Sequence, residues 1–405
     1  MKLKLNILAW AALLMLGFTA ASCSDDEFTG SIFDTTEYPL DRSVTTFPLD
    51  TFLKVNFQEP YNLRYIYRME DIGSDLQKNL VPADYDKALD LAVLSKYLWF
   101  DVYAKIAGEG EVFLKQYSPR IIHLIGSPSY NPTTGSETLG VAEGGLKITL
   151  QKVNSLDVTD IANCNEYFFN TMHHEFSHIL DQTKSRPTSF NTISNGVYNY
   201  TEWTEKQDSM AYSQGFVSPY ASSVAREDWA ELMARYLTRD SITWENMLNT
   251  ASYDWEDLET IDEDFYKSLI KPGCNYDSIG YSYTTESGDF HVLRKKILRD
   301  ENGYATGGKI TFTDNEDGID GRAVILEKLD LVRTWLKENY DIDLDEMRRE
   351  VQRRQYVCDE NGNLVKDSRG KLINRLTQPY EEGSSETLIE HLRNQVYQYK
   401  ELMTN

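Results

Sequence analysis

Cysteine is scarce in this sequence, with four residues among 405. They form no Cys-x-x-Cys pair, and this excludes the thiolate zinc sites that depend on such pairs. Cys23 lies apart, near the N-terminus, and leaves Cys164, Cys274 and Cys358. Three cysteines in an oxidising compartment allow at most one disulfide, and we expect Cys274 and Cys358 to form it if one forms.

Basic residues are also few, with 41 Lys and Arg against 64 Asp and Glu, which gives a formal net charge of −23. So acidic a chain repels polyanions, and we expect neither nucleic acid nor anionic lipid as a partner. Histidine is rarer still, with six residues in the chain. A pattern that uses two of them at a fixed spacing arises by chance in roughly one such chain in a hundred.

The N-terminus has the pattern of an export signal. Lys2 and Lys4 precede an apolar run over residues 7–18, and small residues then lead directly into Cys23. The run is too short to span a membrane. The junction resembles a bacterial lipobox, which implies cleavage before Cys23 and diacylation of that cysteine. Ordinary secretion with a coincidental cysteine is the alternative.

The residues after Cys23 are polar and aperiodic. Residues 24–27, Ser-Asp-Asp-Glu, are similar to the signal that sends some lipoproteins to the outer face of the outer membrane. They suit a plain flexible tether equally well. We therefore predict a signal peptide over residues 1–22 and a tether over 23–50.

The most informative stretch is residues 171–182, which contains His174, Glu175 and His178 in a His-Glu-x-x-His pattern. Apolar residues recur around it at helical spacing. Two imidazoles four residues apart on a helix converge on one point, and that arrangement suits zinc. Glu175 is rotated about 100° from His174, which places it beside the metal as a base and not as a ligand.

Catalytic zinc needs a third protein ligand. The metzincin pattern would supply it from residue 184, but Asp181 and Lys184 stand where that pattern has Gly and His. A second helical pattern over residues 224–237 offers Glu227 and Glu231 on one face. Ala230 and Ala234 lie on the same face and have little bulk, so a second helix can approach this face closely.

We predict that Glu227 binds the metal and that Glu231 orients a ligand histidine. The exchanged assignment, with Glu231 on the metal, stays open. His173, next to the motif, is expected to lie near the ligands or to face solvent.

The rest of the chain mixes helical and strand patterns. Residues 184–218 are aperiodic, as in a lid or binding loop. Residues 146–153, just before the motif, are expected to form a cleft edge that pairs with an extended substrate. Other strands are predicted at 62–69, 120–125 and within 274–313, helices at 82–108, 322–354 and 386–403, and a hairpin at 361–370.

His174-Glu175-x-x-His178, followed about fifty residues later by Glu-x-x-Ala-Glu, resembles the gluzincin zinc peptidases, most closely the branch similar to the lethal-factor catalytic domain. That branch has a tyrosine seven residues before the ligand glutamate, where this chain has Tyr220. The resemblance implies that Tyr220 donates a hydrogen bond to the oxyanion formed during hydrolysis, a role that a phenol can fill.

A wider resemblance is to the substrate import-associated zinc metallohydrolase lipoproteins. It rests on residues 61–62, 126–127, 140–145, the zinc motif and 215–231, and covers about residues 50–240 plus the helix after Gly321. Residues 274–313 and the hairpin after Cys358 fall outside it. The resemblance implies a surface-exposed outer-membrane lipoprotein that works beside a TonB-dependent importer.

Together these patterns predict an α+β, zincin-like catalytic domain over residues 51–240 and a mostly helical part with β insertions over 241–405. The predicted function is a lipid-anchored zinc metallopeptidase that hydrolyses peptides or proteins. A binding lipoprotein that keeps zinc but captures peptide or glycan without turnover is the alternative. A zinc hydrolase of non-peptide amides also fits the ligand set.

Overall fold

The computed structural model describes residues 40–69, 80–130, 137–138, 140–143, 147–258, 264, 281–285, 288–298, 300–302, 304 and 317–403. Arg42–Asn405 form one compact unit. The signal peptide, Cys23 and most of the predicted tether lie outside the described residues, and the predicted boundary at residue 240 stays a prediction. Among the helices that the structure describes, none is both long and apolar enough to cross a bilayer.

Four short strands form a mixed sheet: β1 (Arg64–Ile66), β2 (Ile121–Leu124), β5 (Gly140–Glu143) and β6 (Lys147–Leu150). Their order is β1-β2-β6-β5. β1, β2 and β6 are parallel, and β5 joins β6 antiparallel. In β2 and β6 the apolar side chains of Ile122, Leu124, Ile148 and Leu150 are buried, which agrees with the apolar sequence of strands inside a parallel sheet.

The sheet order corrects one prediction. β6 was expected to form a cleft edge that pairs with substrate, but it lies inside the sheet between β2 and β5. Both sides of its backbone are already hydrogen-bonded, so it cannot accept another strand. Two further strands, β3 (Ser129–Tyr130) and β4 (Glu137–Thr138), form a small hairpin within the same region.

A second sheet lies in the C-terminal half. β7 (Trp255–Leu258), β8 (Tyr281–Thr284) and β9 (Phe290–Lys295) pair antiparallel in the order β7-β9-β8. β8 and β9 fall within the strand-like region predicted over 274–313, of which the structure describes only parts. The fold is therefore α+β, with small sheets and many helices.

Two helical stretches support the N-terminal half. The first comprises Phe47–Leu53, a π turn at Lys54–Gln58, and Glu59–Tyr61. The second comprises Tyr85–Ser95, a π turn at Lys96–Phe100, and Asp101–Ile106, which confirms the helix predicted over 82–108. Shorter helices are Glu111–Tyr117, Phe190–Ile193, Trp203–Glu205, Asp208–Ser213, Tyr220–Ser222, Ser241–Thr250 and Arg375–Thr377.

The motif lies on Asn170–Thr183, called the histidine helix, which continues from Ile161–Cys164 and a π turn at Asn165–Phe169. The Asp160 side chain caps its start by accepting from two backbone N–H groups. The helix packs directly against Ala225–Thr238, called the glutamate helix. Ala230 and Ala234 are fully buried there, as expected if their small side chains let the second helix approach closely.

The helix predicted over 322–354 is in fact two helices, Gly321–Tyr340, called the lysine helix, and Leu344–Gln355. The chain turns at Asp341, which has the left-handed value φ = 50°. Ile342 then donates its N–H to the carbonyl of Leu336, as at a helix end, and the Asp343 side chain caps the next helix. The sequence did not reveal this break, because both segments bury an apolar face and apolar residues therefore recur at helical spacing in each of them.

The C-terminal region forms tight turns at Gly362 and Gly370, with φ near 80° at each, and ends in the helix Leu388–Tyr397 and the 3-10 turn Gln398–Leu402. Arg393 makes two hydrogen bonds to Asp90, which join this last helix to the N-terminal half. Cys164 and Cys358 are free thiols in the part of the chain that the structure describes, so the expected pairing of Cys358 with Cys274 stays a prediction. Cys274 lies outside the described residues.

Candidate metal centre

Two histidines and one glutamate converge where the histidine and glutamate helices meet. Glu227 Oε2 lies 3.1 Å from His174 Nε2 and 3.1 Å from His178 Nε2. The three candidate ligand atoms all lie within 4.8 Å of one another, and all three residues are buried. Among the described residues, no other group of three His, Cys, Asp or Glu side chains is placed to hold a metal ion.

The spacing of these atoms fits a zinc ion. Zinc binds imidazole nitrogen and carboxylate oxygen at about 2.0 to 2.2 Å, in tetrahedral geometry. Ligand atoms at the corners of such a tetrahedron are roughly 3.4 Å apart. The two 3.1 Å separations are close to that edge length. Three protein ligands would leave a fourth position open, as in catalytic sites.

Glu231 supports His174 from the side away from the cluster. His174 donates from Nδ1 to Glu231 Oε1 at 2.9 Å. The other carboxylate oxygen accepts from the Ser218 hydroxyl at 2.6 Å and from Arg235 Nε at 2.8 Å. With its carboxylate held in this way, Glu231 fixes the orientation of the imidazole and leaves Nε2 facing Glu227. Of the two glutamates, Glu227 is therefore the one that reaches both histidines.

Glu227 is held by a second group as well. Its Oε1 atom accepts from Arg226 Nε and Nη2 at 3.1 and 2.9 Å. The Arg226 side chain is mostly exposed, whereas Glu227 is buried. One oxygen of Glu227 thus faces the histidines while the other faces a guanidinium.

The carboxylates set the charge of the cluster. Burial lowers the pKa of His174, but its hydrogen bonds to Glu227 and Glu231 outweigh burial and raise that pKa to about 10. Burial also acts to raise the pKa of Glu227, yet hydrogen bonds to His174 and His178 hold it well below its usual range. The site therefore favours positive charge between its carboxylates, which a divalent cation would supply in place of protons.

Glu175 lies on the same helix beside the cluster and is buried. Burial raises the pKa of its carboxyl group, while the neighbouring His174 and His178 act in the opposite direction. A carboxylate that is poorly solvated in this way accepts a proton more readily than an exposed one.

Tyr220 begins a 3-10 turn just before the glutamate helix. Its ring stacks on His174, with centroids 6.0 Å apart, and contacts Trp203 edge to face at 4.9 Å. The side chain remains 36% exposed, so a substrate can reach it. Burial and the nearby Glu227 carboxylate raise the pKa of the phenol, and the group therefore keeps its proton at neutral pH.

The structure corrects the expectation for His173. This histidine is fully buried, and its Nδ1 lies 3.0 Å from the Tyr103 hydroxyl. Its ring packs among Trp99 and Tyr103, on the core side of the helix. Because it is one residue from His174, it points about 100° away from the metal cluster. It is neither close to the ligands nor exposed to solvent.

Asp228, next to Glu227, is buried on another side of the glutamate helix. It accepts from Tyr198 at 2.8 Å and pairs with Lys328 Nζ at 2.7 Å. Lys328 comes from the lysine helix and also donates to the carbonyl of Gly215 at 2.8 Å. This buried ion pair attaches the ligand-bearing helix to the C-terminal part of the chain.

Several supporting residues were not predicted from sequence. Arg235 donates to Glu231, and the four-residue spacing of this pair was a visible signal in the sequence. Arg226 could have been noticed because it adjoins Glu227. Ser218 and Lys328 belong to no pattern, since their partners are distant in sequence or on another element.

Comparisons with known proteins show which family this chain resembles. The model of a family described as "Putative zinc-binding metallo-peptidase" matches residues 42–345. A crystal structure of a putative zinc-binding metallo-peptidase from Bacteroides caccae ATCC 43185 is similar, with 32% sequence identity and a TM-score of 0.53. The similarity covers 80% of this chain and 95% of that one. A comparison with curated proteins gave no match.

Proposed function

This chain belongs to the family described as putative zinc-binding metallo-peptidases, and from that membership we propose that it is a zinc-dependent peptidase of the gluzincin type with a zincin-like fold. His174, His178 and Glu227 would hold the zinc. The observation that carries the proposal is the convergence of their three ligand atoms within 4.8 Å, with the Glu175 carboxylate buried beside them.

Zinc bound there would supply Lewis-acid activation of water and of the substrate carbonyl. Glu175 would accept a proton from the attacking water and then pass it to the amine that leaves. The raised pKa of this carboxyl group favours both steps, because it brings the group closer to the working pH.

Tyr220 and Glu231 would assist without binding the metal. The Tyr220 hydroxyl keeps its proton and lies beside the cluster, so it can donate to the negative oxygen that develops on the substrate. Glu231 holds His174 by its Nδ1 hydrogen bond and keeps Nε2 directed at Glu227.

The test compares the zinc-loaded wild type with zinc-loaded Glu175→Gln on a mixed peptide library. We expect the variant to lose activity by roughly a hundredfold to ten-thousandfold, the usual contribution of a general base. Its zinc content should equal that of the wild type, since Glu175 is not a ligand. Glu338→Gln, an exposed residue of the lysine helix, is the matched control and should keep full activity.

Three results would change this assignment. If neither protein cleaves any peptide but both bind the library equally, the chain is a binding protein that captures peptide. If Glu175→Gln cleaves as fast as the wild type, the assigned base is wrong. Cleavage of non-peptide amides alone would point to a different substrate class.

We further propose that the chain is an outer-membrane lipoprotein, anchored through Cys23 at the cell surface beside a nutrient importer. The support is the N-terminal sequence and its resemblance to a lipobox. Cys23→Ala should release the protein from the membrane fraction and abolish labelling with radioactive palmitate. Crosslinking in intact cells followed by purification of this chain would test the importer, which should co-purify.

A further inference from the structure

A cavity of about 550 Å³ lies beside the metal centre. Its walls come from the segment leading into the histidine helix, the glutamate helix, the helices Asp208–Ser213 and Ser241–Thr250, and the strands β8 and β9. None of His174, His178 and Glu227 lines it. The volume is in the range of cavities that hold small molecules.

The cavity continues the seam between the two metal-bearing helices. Glu166 and Asn170 line it and precede His174 by eight and four residues, on the same face. Arg235 and Arg239 line it and follow Glu231 by four and eight residues. Arg235 therefore contacts both the metal centre and the cavity, because its Nε donates to Glu231 while its side chain forms part of the cavity wall.

Arg239 has no acidic partner within ion-pair distance among the described residues. Its guanidinium donates to the Tyr212 hydroxyl at 3.2 Å and contacts the sulfur of Met247 at 2.8 Å, and both groups are neutral. Burial lowers the pKa of this group. A guanidinium in such surroundings gains most from a planar anion that accepts two hydrogen bonds, and a carboxylate is such an anion.

Two residues of the cavity wall each carry a buried polar atom without a partner among the described residues. Asn170 Oδ1 and Ser209 Oγ are buried and have no hydrogen-bond partner in the part of the chain that the structure describes. The carboxylates of Glu166 and Asp208 stand at the same cavity and are exposed. Glu166 also lies 3.6 Å from Arg235 Nη1 and shares its charge with that guanidinium.

We propose that this cavity binds a small zwitterion, a free α-amino acid or a dipeptide. The ligand's carboxylate pairs with Arg239, and its ammonium group faces Asp208 and Glu166. Its side chain lies against Met247 and Leu293, which supply apolar surface. This site is separate from the proposed peptidase chemistry and requires no turnover.

Calorimetric titration of the zinc-loaded chain tests the proposal with three probes: leucine, N-acetylleucine and leucinamide. Leucine has both charges, and each of the other two lacks one. We expect leucine to bind saturably and the other two to bind at least about tenfold more weakly, since a charge-assisted hydrogen bond is lost in each.

Arg239→Gln should weaken leucine binding by about tenfold to a hundredfold. Arg349→Gln is the matched control, since Arg349 is exposed, pairs with Glu346 and does not line the cavity. Ser282→Trp provides a second route if Arg239→Gln fails to fold. Ser282 is an exposed cavity residue on β8, and the added ring should fill the space and abolish binding without changing charge.

The proposal is overturned if the wild type shows no saturable leucine binding. Equal binding of leucine and leucinamide, or of leucine and N-acetylleucine, also overturns it. So does leucine binding that survives both Arg239→Gln and Ser282→Trp, because the ligand would then occupy another site, the zinc included. Leucine has no peptide bond, so Glu175→Gln should bind it like the wild type whether or not the chain is a peptidase.

Discussion

Two histidine–carboxylate pairs at the centre of this protein can be compared: His174 with Glu227, and their sequence neighbours His173 with Asp228. His174 and Glu227 face each other across the helix interface, whereas their neighbours His173 and Asp228 are rotated about 100° away. Both pairs are buried, and both consist of one imidazole and one carboxylate. They differ in what surrounds them.

The two rotated residues have their contacts within the protein, although His173 Nε2 has no hydrogen-bond partner among the described residues. Asp228 has Lys328 as its counter-ion, and His173 shares a hydrogen bond with Tyr103 in an aromatic environment. The facing pair shares its partners, because Glu227 Oε2 lies equally close to His174 and His178. Similar residues thus serve as structural contacts on one side and as a candidate ion site on the other, according to the helix face that carries them.

The largest effect that separates the two pairs should come from Lys328→Met. This change leaves the buried Asp228 carboxylate without a counter-ion, and we expect the free energy of unfolding to fall by about 3 to 5 kcal/mol. Zinc bound per folded molecule should not change. Urea denaturation and metal analysis measure both quantities.

Lys337→Met is the control for this change. Lys337 is on the same helix and pairs with Asp341, but both side chains are largely exposed. We expect no measurable loss of stability. The double variant Lys328→Met with Asp228→Asn should regain part of the loss; if it is as unstable as Lys328→Met alone, the charge is not the cause.

A smaller effect, on zinc affinity, should distinguish Glu227 from Glu231, the two glutamates that contact the histidines. Glu231→Gln should weaken zinc binding by roughly 10-fold to 100-fold, as expected when a residue that orients a ligand is changed. Glu227→Gln should weaken it more, because a ligand is lost. Competition with a chelator measures both affinities, and the reverse order would show that Glu231 is the ligand.

The effect that is smallest per pH unit, and that builds up only as the pH falls, concerns His173. Burial lowers the pKa of His173 to about 3, against an ordinary value of 6.5. The unfolded chain therefore binds a proton that the folded chain does not. This contribution to stability is fully present above pH 6.5 and is lost as the pH falls from there toward 3.

Metal-depleted wild type should accordingly lose about 1.4 kcal/mol more per pH unit than His173→Asn over the acid part of this range. Tyr103→Phe should keep the wild-type slope, because burial and not the hydrogen bond lowers the pKa. Identical slopes for wild type and His173→Asn would show that this histidine does not titrate as described.

Much of the local structure could be predicted from sequence. The helices around residues 174 and 227 and the strands β1, β2 and β6 were expected where they are found. In each of them, apolar residues recur at the spacing of a helix or of a strand. The break at Asp341 was missed, since a single left-handed residue leaves the periodicity intact. The interior position of β6 was missed because strand order depends on pairing with distant segments.

The sequence by itself determined which side chains share a helix face: the two histidines, Glu175 beside them, and Glu227 with Glu231. Helical spacing is a local property, so it can be read along the chain. Only the tertiary structure decided that Glu227 reaches both histidines, that Ser218 donates to Glu231, and that Lys328 neutralises Asp228. These contacts join residues that are distant in sequence, and they depend on how the helices pack.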